Sequence, residues 1–222
     1  MYHIIFSEKI RNAAPGLRVL AIEAAVENPP TPDSLWLDIE KENETIRNNC
    51  PLESVNKRPA IAATRAAYKK LGKEPNRYRP SAEALCRRAV NGKGLYRLTT
   101  LIDFINLLSM KTGHSIGGFD ADKIVGEVLT LDSGHHEEEF HAIGRGLLNI
   151  ENLPVYRDAI GGIGTPTSDE ERTKLTPETS HLLMLINVYD KTEDIEALRK
   201  LTLDLFQTHC NPRSINTSIT SI

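Results

Sequence analysis

Apolar positions recur at two different periods along this chain, and each change of period marks an element. Residues 2–6 and 17–26 carry runs of branched and small apolar side chains, the second reading V-L-A-I, and both are predicted strands. Thr31-Pro32-Asp33 opens a helix to about residue 48, with Thr31 as cap and proline at the first helical position. PAIAATRAAYKKL predicts a second helix over residues 59–71, stopped by Gly72. A third covers residues 81–90, burying Leu85, Cys86 and Ala89. A fourth runs over residues 98–111 on a buried side of Leu98, Leu101, Ile102, Ile105 and Leu108. Residues 125–131 and 153–159 read as strands. HLLMLINVY (residues 181–189) is too short and too apolar for a surface helix and fits a buried strand. Asp190-Lys191-Thr192-Glu193 has the spacing of a capping box, opening a last helix to about His209 with the stripe Ile195, Leu198, Leu201, Leu205. The tail NPRSINTSITSI is polar and expected to be loosely held.

Composition narrows the class. The 222 residues, 40% hydrophobic and 26% charged, fit one medium domain that needs neither disulfide nor metal to hold its core. The net charge of −3 argues against a general nucleic-acid coat. Charge is uneven, however. Between residues 72 and 97, seven cations (Lys73, Arg77, Arg79, Arg87, Arg88, Lys93, Arg97) face only Glu74 and Glu83, a local +5. Residues 132–151 are acidic, at −4. A basic patch on an acidic chain suits a partner presenting a few phosphates. Three widely spaced cysteines without C-x-x-C imply reduced thiols and a cytoplasmic setting. The N-terminal apolar stretch is too short for a signal peptide, and no segment approaches a transmembrane span.

Several segments carry candidate chemistry. Thr99, Asp103 and Asn106 share one face of the fourth helix, either as a solvated stripe or as the lining of a site. PNRYRPS (residues 75–81) sets Arg77 and Arg79 around Tyr78; it can grip phosphate and stack on a base, or pin its loop through Arg–carboxylate pairs. TPTSDEERT concentrates Thr165, Thr167, Ser168, Asp169, Arg172 and Thr173, although Ser168 and Glu171 also have capping-box spacing. GGIG lacks the dinucleotide-binding spacing, and there is no phosphate-binding P-loop or G-x-S-x-G elbow. His136 and His141 are five apart rather than four, the wrong spacing for an H-E-x-x-H zinc site. No metal and no cofactor are expected.

The order in RLTTLIDFINLLSMKTGHSIGGFDADKIVGEV, a long apolar helix, a glycine-rich turn, F-D-A-D-K-I and a strand, resembles the B3/B4 domain of the bacterial phenylalanyl-tRNA synthetase beta subunit. The resemblance is strongest over residues 75–189. It implies an α+β fold, a β-sandwich-like core flanked by helices, with residues 1–72 in the same body. This would be one free-standing domain without the synthetase's catalytic module. The implied partner is tRNA or aminoacyl-tRNA, and the implied reaction is hydrolysis of a mischarged aminoacyl ester. By the same resemblance Thr99, Thr100 and Asp103 shape the pocket, with Asn106, Gly117, Gly118 and Asp120 around it. Arg77, Tyr78, Arg79 and the segment of Thr167, Ser168, Asp169, Arg172 and Thr173 would bind the ligand. Two positions depart from the family. Gly117 stands where the synthetase domain has a pocket histidine, which is expected to leave room. Apolar residues around Leu185 stand where it has a pocket glutamate. A non-catalytic module binding an amino acid, nucleotide or RNA end is therefore the alternative, and an enzyme acting on an unrelated small molecule a third.

Overall fold

A computed structural model describes residues 2–222 as two four-stranded sheets and a helical layer. The first sheet has the order β1 (His3–Phe6), β4 (Val128–Ser133), β7 (Pro154–Arg157), β8 (Gly162–Gly164). The second has the order β10 (Arg213–Ser221), β2 (Arg18–Ala25), β9 (His181–Val188), β3 (Ile116–Asp120). A short hairpin, β5 (His141–Ala142) and β6 (Gly146–Leu147), projects between β4 and β7 in sequence.

Side chains on a strand alternate between faces, so a strand covered on both faces reads as an unbroken apolar run. That is the case for β2 and β9. Val19, Ala21, Leu183 and Leu185 point into the space between the sheets, where they join Phe119, Leu131, Tyr156 and Ile163. Leu20, Ile22, Met184 and Ile186 point the other way, against the helices. Those helices are α2 (Asp33–Asn49), α4 (Ser81–Val90), α5 (Thr100–Thr112) and α6 (Ile195–Cys210). Phe104 of α5 stacks on Phe206 of α6 with ring centroids 5.2 Å apart. The fold is the expected α+β arrangement of a sandwich flanked by helices. The two remaining helices are α1 (Glu8–Ala13) and α3 (Pro59–Leu71), and Gly72 caps α3 at φ +90°, a left-handed conformation that glycine adopts without strain. No described helix is long and apolar enough to cross a membrane.

Several expectations are corrected. The turn after α5 contains strand β3, whose glycines hide its strand character. The strand expected from residue 125 starts at Val128, because Gly126 turns the chain at φ +90°. In α4 the deeply buried polar residue is Glu83, held by Arg65 at 2.7 Å and Arg87 at 2.8 Å, while Leu85 is half-buried. Asp190–Glu193 form a turn, and Asp194 caps α6 by accepting from the Glu196 and Ala197 amides. The buried stripe of α6 is Leu198, Thr202, Phe206 and Cys210, with Leu201 exposed. The polar tail is strand β10, in antiparallel register with β2 from Asn216↔Glu23 to Ser221↔Arg18. Its polar side chains conceal a role that backbone hydrogen bonds fulfil. Ile215 and Ile219 alone pack against the helical-side core.

Deleting residues 213–222 uncovers the β2 edge and these two isoleucines. The expected outcome is a loss of about 2–4 kcal/mol in urea unfolding together with a greater tendency to associate through the bare edge. Unchanged stability and a monodisperse truncated protein would contradict this.

Candidate functional site

A cavity of about 280 Å³ opens where α4, α5, β3 and the segment after β8 meet. One wall is apolar, with Leu85, Ile102, Ile105, Ile116 and Leu175; the other is polar, with Asn106, Ser109, Thr165, Thr167, Ser168 and Asp169. Ile143 of the β5–β6 hairpin and Leu98 stand at its margin. The Ser109 hydroxyl donates to the His114 carbonyl at 2.7 Å. The Asn106 amide has no partner among the described residues and is free to meet a ligand with a donor and an acceptor.

The polar wall is built by Thr165. Its Oγ1 accepts from the Thr167 amide at 3.1 Å and the Ser168 amide at 3.0 Å, and it donates to the Ser168 carbonyl at 3.0 Å. This hydroxyl-closed turn delivers Asp169 to the open edge of β3. There the Gly118 amide donates to Asp169 Oδ2 at 3.2 Å, while the Asp169 carbonyl accepts from Ile143 at 3.0 Å. The carboxylate fits because its neighbours lack side chains. A Cβ at Gly164 would lie 2.6 Å from Asp169 Oδ1 and 2.6 Å from Phe119 Cζ. One at Gly118 would lie 2.4 Å from Ile105 Cδ1. Burial pushes the Asp169 carboxyl up to about 7, against the opposing pull of the Gly118 amide.

These features decide the kinship. Residues 63–221 match the model of the B3/4 domain family. The chain belongs to that family. The match reaches beyond residues 75–189 on both sides and takes in β10. Among solved structures, an N-terminal fragment of the phenylalanyl-tRNA synthetase beta-subunit from Pyrococcus horikoshii is similar, with a TM-score of 0.50 at 14% identity. The similarity covers 98% of this chain and 54% of that fragment, so the chain spans about half the fragment's length and the likeness is one of fold. No curated protein matches the chain.

Within this B3/4 domain the structure sorts the residues singled out from sequence. Asn106, Gly118, Thr167, Ser168 and Asp169 come together in the cavity. Thr165, also singled out from sequence, lies with them, and Ser109 and Lys174 join; Ser109 faces the ligand space through helical geometry that the hydropathy pattern does not distinguish. Thr99, Thr100 and Asp103 do not line it. Thr99 caps α5 backbone-wise, and Thr100 Oγ1 donates to the Pro29 carbonyl at 3.0 Å. Asp103 is fully buried; its Oδ2 accepts from Thr31 Oγ1 at 2.5 Å and from the Leu98 amide at 2.9 Å. Burial raises its pKa, with the Thr31 hydrogen bond opposing. Thr31 therefore ties two helices together instead of capping α2, and Leu98 is exposed at the pocket margin rather than buried.

Asp120 ends β3, accepting from Thr179 at 3.0 Å with Lys123 Nζ at 3.0 Å. Arg172 forks onto Asp158 at 2.9 and 3.0 Å, so its guanidinium is committed within the fold. Thr173 is wholly buried. Ser168 caps nothing; Glu170 caps the short turn at Glu171–Thr173. Gly117 pairs with Leu185 across β3 and β9, placing the two departures from the synthetase pattern side by side. The room expected at Gly117 is occupied, since a Cβ there would lie 2.6 Å from Phe119 Cζ. His114, in the connection between α5 and β3, is fully buried, and burial lowers its pKa. His136 and His141 face different carboxylates, Glu151 and Glu139.

The Arg77–Arg79 loop adjoins the cavity. Arg65, not Arg77 or Arg79, pins it, reaching the Pro75 carbonyl at 3.1 Å and Asn76 Oδ1 at 2.7 Å. Lys73 Nζ lies 3.7 Å from the Tyr78 ring centroid and donates to the Asn149 and Glu151 carbonyls; burial lowers its pKa to about 8. Arg87 pairs with Glu83 and Arg97 with Asp33, whereas Arg77, Arg79 and Lys93 are exposed and without a carboxylate partner among the described residues, Arg77 lying 5.6 Å from the Tyr78 ring centroid.

Two stability outcomes separate the acids. Asp103→Ala strands the Thr31 hydroxyl and the Leu98 amide and is expected to cost about 2–3 kcal/mol in urea unfolding. Asp169 behaves oppositely. Its folded pKa is raised above the unfolded value, so its ionisation costs stability as pH rises toward and through about 7 and costs nothing below the ordinary aspartate range. Asp169→Asn is accordingly expected to melt higher than wild type at pH 8, by up to about 4 kcal/mol, with the difference vanishing near pH 4. Calorimetry at the two pH values checks both the sign and its disappearance.

Proposed function

We propose that this B3/4 domain binds the aminoacylated 3′ end of tRNA and hydrolyses the aminoacyl ester in trans. The aminoacyl group would occupy the cavity between α5 and β3, its side chain against Ile102, Ile105 and Leu175 and its polar atoms toward Asn106 and the Thr165–Asp169 turn. Backbone phosphates would meet Arg77 and Arg79, with Tyr78 beside them.

One observation carries this reading: the arginine loop and the cavity wall are hydrogen-bonded to each other. The Ser81 amide donates to the Pro166 carbonyl at 2.8 Å, and Thr167 Oγ1 donates to the Tyr78 carbonyl at 3.5 Å. A cavity sized for a small amphipathic group therefore shares its wall with the backbone of a loop whose two exposed arginines have no carboxylate partner among the described residues. A small ligand on a phosphate-bearing chain satisfies both. Membership of the B3/4 family and a fold shared with a phenylalanyl-tRNA synthetase beta-subunit fragment support tRNA as the chain.

A second reading, a binding module without catalysis, is favoured by the register of Gly117 with Leu185, which leaves both of the synthetase-like pocket positions without a titratable group. Deacylation of charged tRNA separates the two readings, since both predict binding and only the first predicts release of the amino acid.

Arg77→Ala combined with Arg79→Ala is expected to weaken tRNA binding and to flatten the plot of log affinity against log salt by about 0.7–0.9 per lost phosphate contact. Filter binding over a salt series measures both quantities. Equal affinity and equal slope for wild type and double variant would remove the loop from the interface.

A further inference from the structure

We infer that Asp169 is the general base of this site, taking a proton from the water that attacks the aminoacyl ester; the inference rests on the hydrolytic reading above. Among the described residues Asp169 is the single carboxylate lining the cavity, and no described histidine, cysteine or tyrosine lines it. The one cationic residue at its wall, Lys174, is paired with Glu171 at 2.5 Å. Proton transfer inside this cavity therefore has one candidate acceptor.

Its surroundings differ from those of the acids that hold the fold together. Asp158 receives a forked Arg172 and three backbone amides, Val125, Ile160 and Gly161. Glu83 holds two arginines, and Asp120 has Lys123 and the Thr179 hydroxyl. Asp169 has one amide, that of Gly118, on Oδ2, and Oδ1 has no partner among the described residues. A carboxylate fixed by a single neutral donor, on a turn tied down by Thr165 and in a slot that Gly164 keeps open, is positioned without being neutralised. Near neutral pH such a group is present in both protonation states, the condition under which a base works best.

The step balances without a further reactant. Water oxygen bonds to the ester carbonyl carbon while its proton passes to Asp169. The bond between that carbon and the ribose oxygen then breaks, and the proton moves from Asp169 to the leaving oxygen. The products are the free amino acid and tRNA with its terminal hydroxyl restored.

The test is single-turnover release of amino acid from total tRNA charged with a full amino-acid mixture, with enzyme in excess and the enzyme-free rate subtracted. Wild type is expected to gain rate about tenfold per pH unit below pH 7 and to level off above it. Asp169→Asn is expected to lose at least about 100-fold and the pH dependence with it, while still retaining charged tRNA on filters. Formate added to Asp169→Gly is expected to restore part of the rate, which a purely structural aspartate would not allow. Release by Asp169→Asn at the wild-type rate with the wild-type pH profile overturns the assignment and leaves the hydrolytic reading standing. Binding without release by wild type overturns both, and absence of binding removes tRNA as the partner altogether.

Discussion

The bare backbone at Gly117 and Gly164, a seam against which the Phe119 ring and the Asp169 carboxylate both pack, is the constraint on which the site rests. Phe119 belongs to the apolar layer between the two sheets and is fully buried there. Its ring and the Asp169 carboxylate both fit because Gly117 and Gly164 have no side chains, and Gly118 offers its amide from the strand edge. The same seam joins β3 of one sheet to the end of β8 of the other, as the bridges Gly164↔Asp169 and Phe119↔Lys174 record. Packing that closes the sandwich thereby also forms the cavity wall. A side chain at Gly164 would strike the carboxylate and the Phe119 ring, one at Gly117 the ring, and one at Gly118 Ile105 of α5.

Burying a carboxylate with one hydrogen bond costs free energy, and elsewhere in this chain such groups are given cations or several donors. Thr31 and the Leu98 amide restrain Asp103, Arg172 restrains Asp158, and Arg65 with Arg87 restrains Glu83. The exception lies in the cavity. A fold that gives Asp158 and Glu83 arginines and leaves Asp169 with one amide donor concentrates instability at a site, as functional groups commonly do. Charge at the surface is divided in the same way. Of the cations clustered in residues 72–97, those on helices and turns are mostly taken up by neighbours, and Arg77 and Arg79 are exposed, without a carboxylate partner among the described residues, on the loop hydrogen-bonded to the cavity wall.

The B3/4 match begins at residue 63, yet β2, at Arg18–Ala25, lies between β10 and β9 and is hydrogen-bonded to both. Residues outside the matched segment thus provide a central strand of the sheet that carries β3. The cavity's own walls lie within the match, but the sheet behind them is completed from outside it. This explains why the fold likeness covers nearly the whole chain while the family match covers only part of it.

Sequence alone determined the elements whose burial leaves a periodic trace. The double-sided strands β2 and β9, helix α3 with Gly72 at its end, and the boundaries of α4 were legible because apolar spacing and chain-stopping residues are local. F-D-A-D-K-I in its helix–turn setting was enough to indicate the family. Sequence did not reveal β3 or β10, since glycines and polar residues form strands when neighbours supply hydrogen bonds, and the neighbours are distant in the chain. Nor could it tell that Thr31 and Asp103, far apart in sequence, satisfy each other and withdraw Asp103 from the pocket. Asn106 and Asp103 share a helical face in projection, yet one lines the cavity and the other is sealed beneath Leu98. The tertiary structure alone decided which polar residues are spent on holding helices together and which remain free, because that depends on long-range partners and not on spacing.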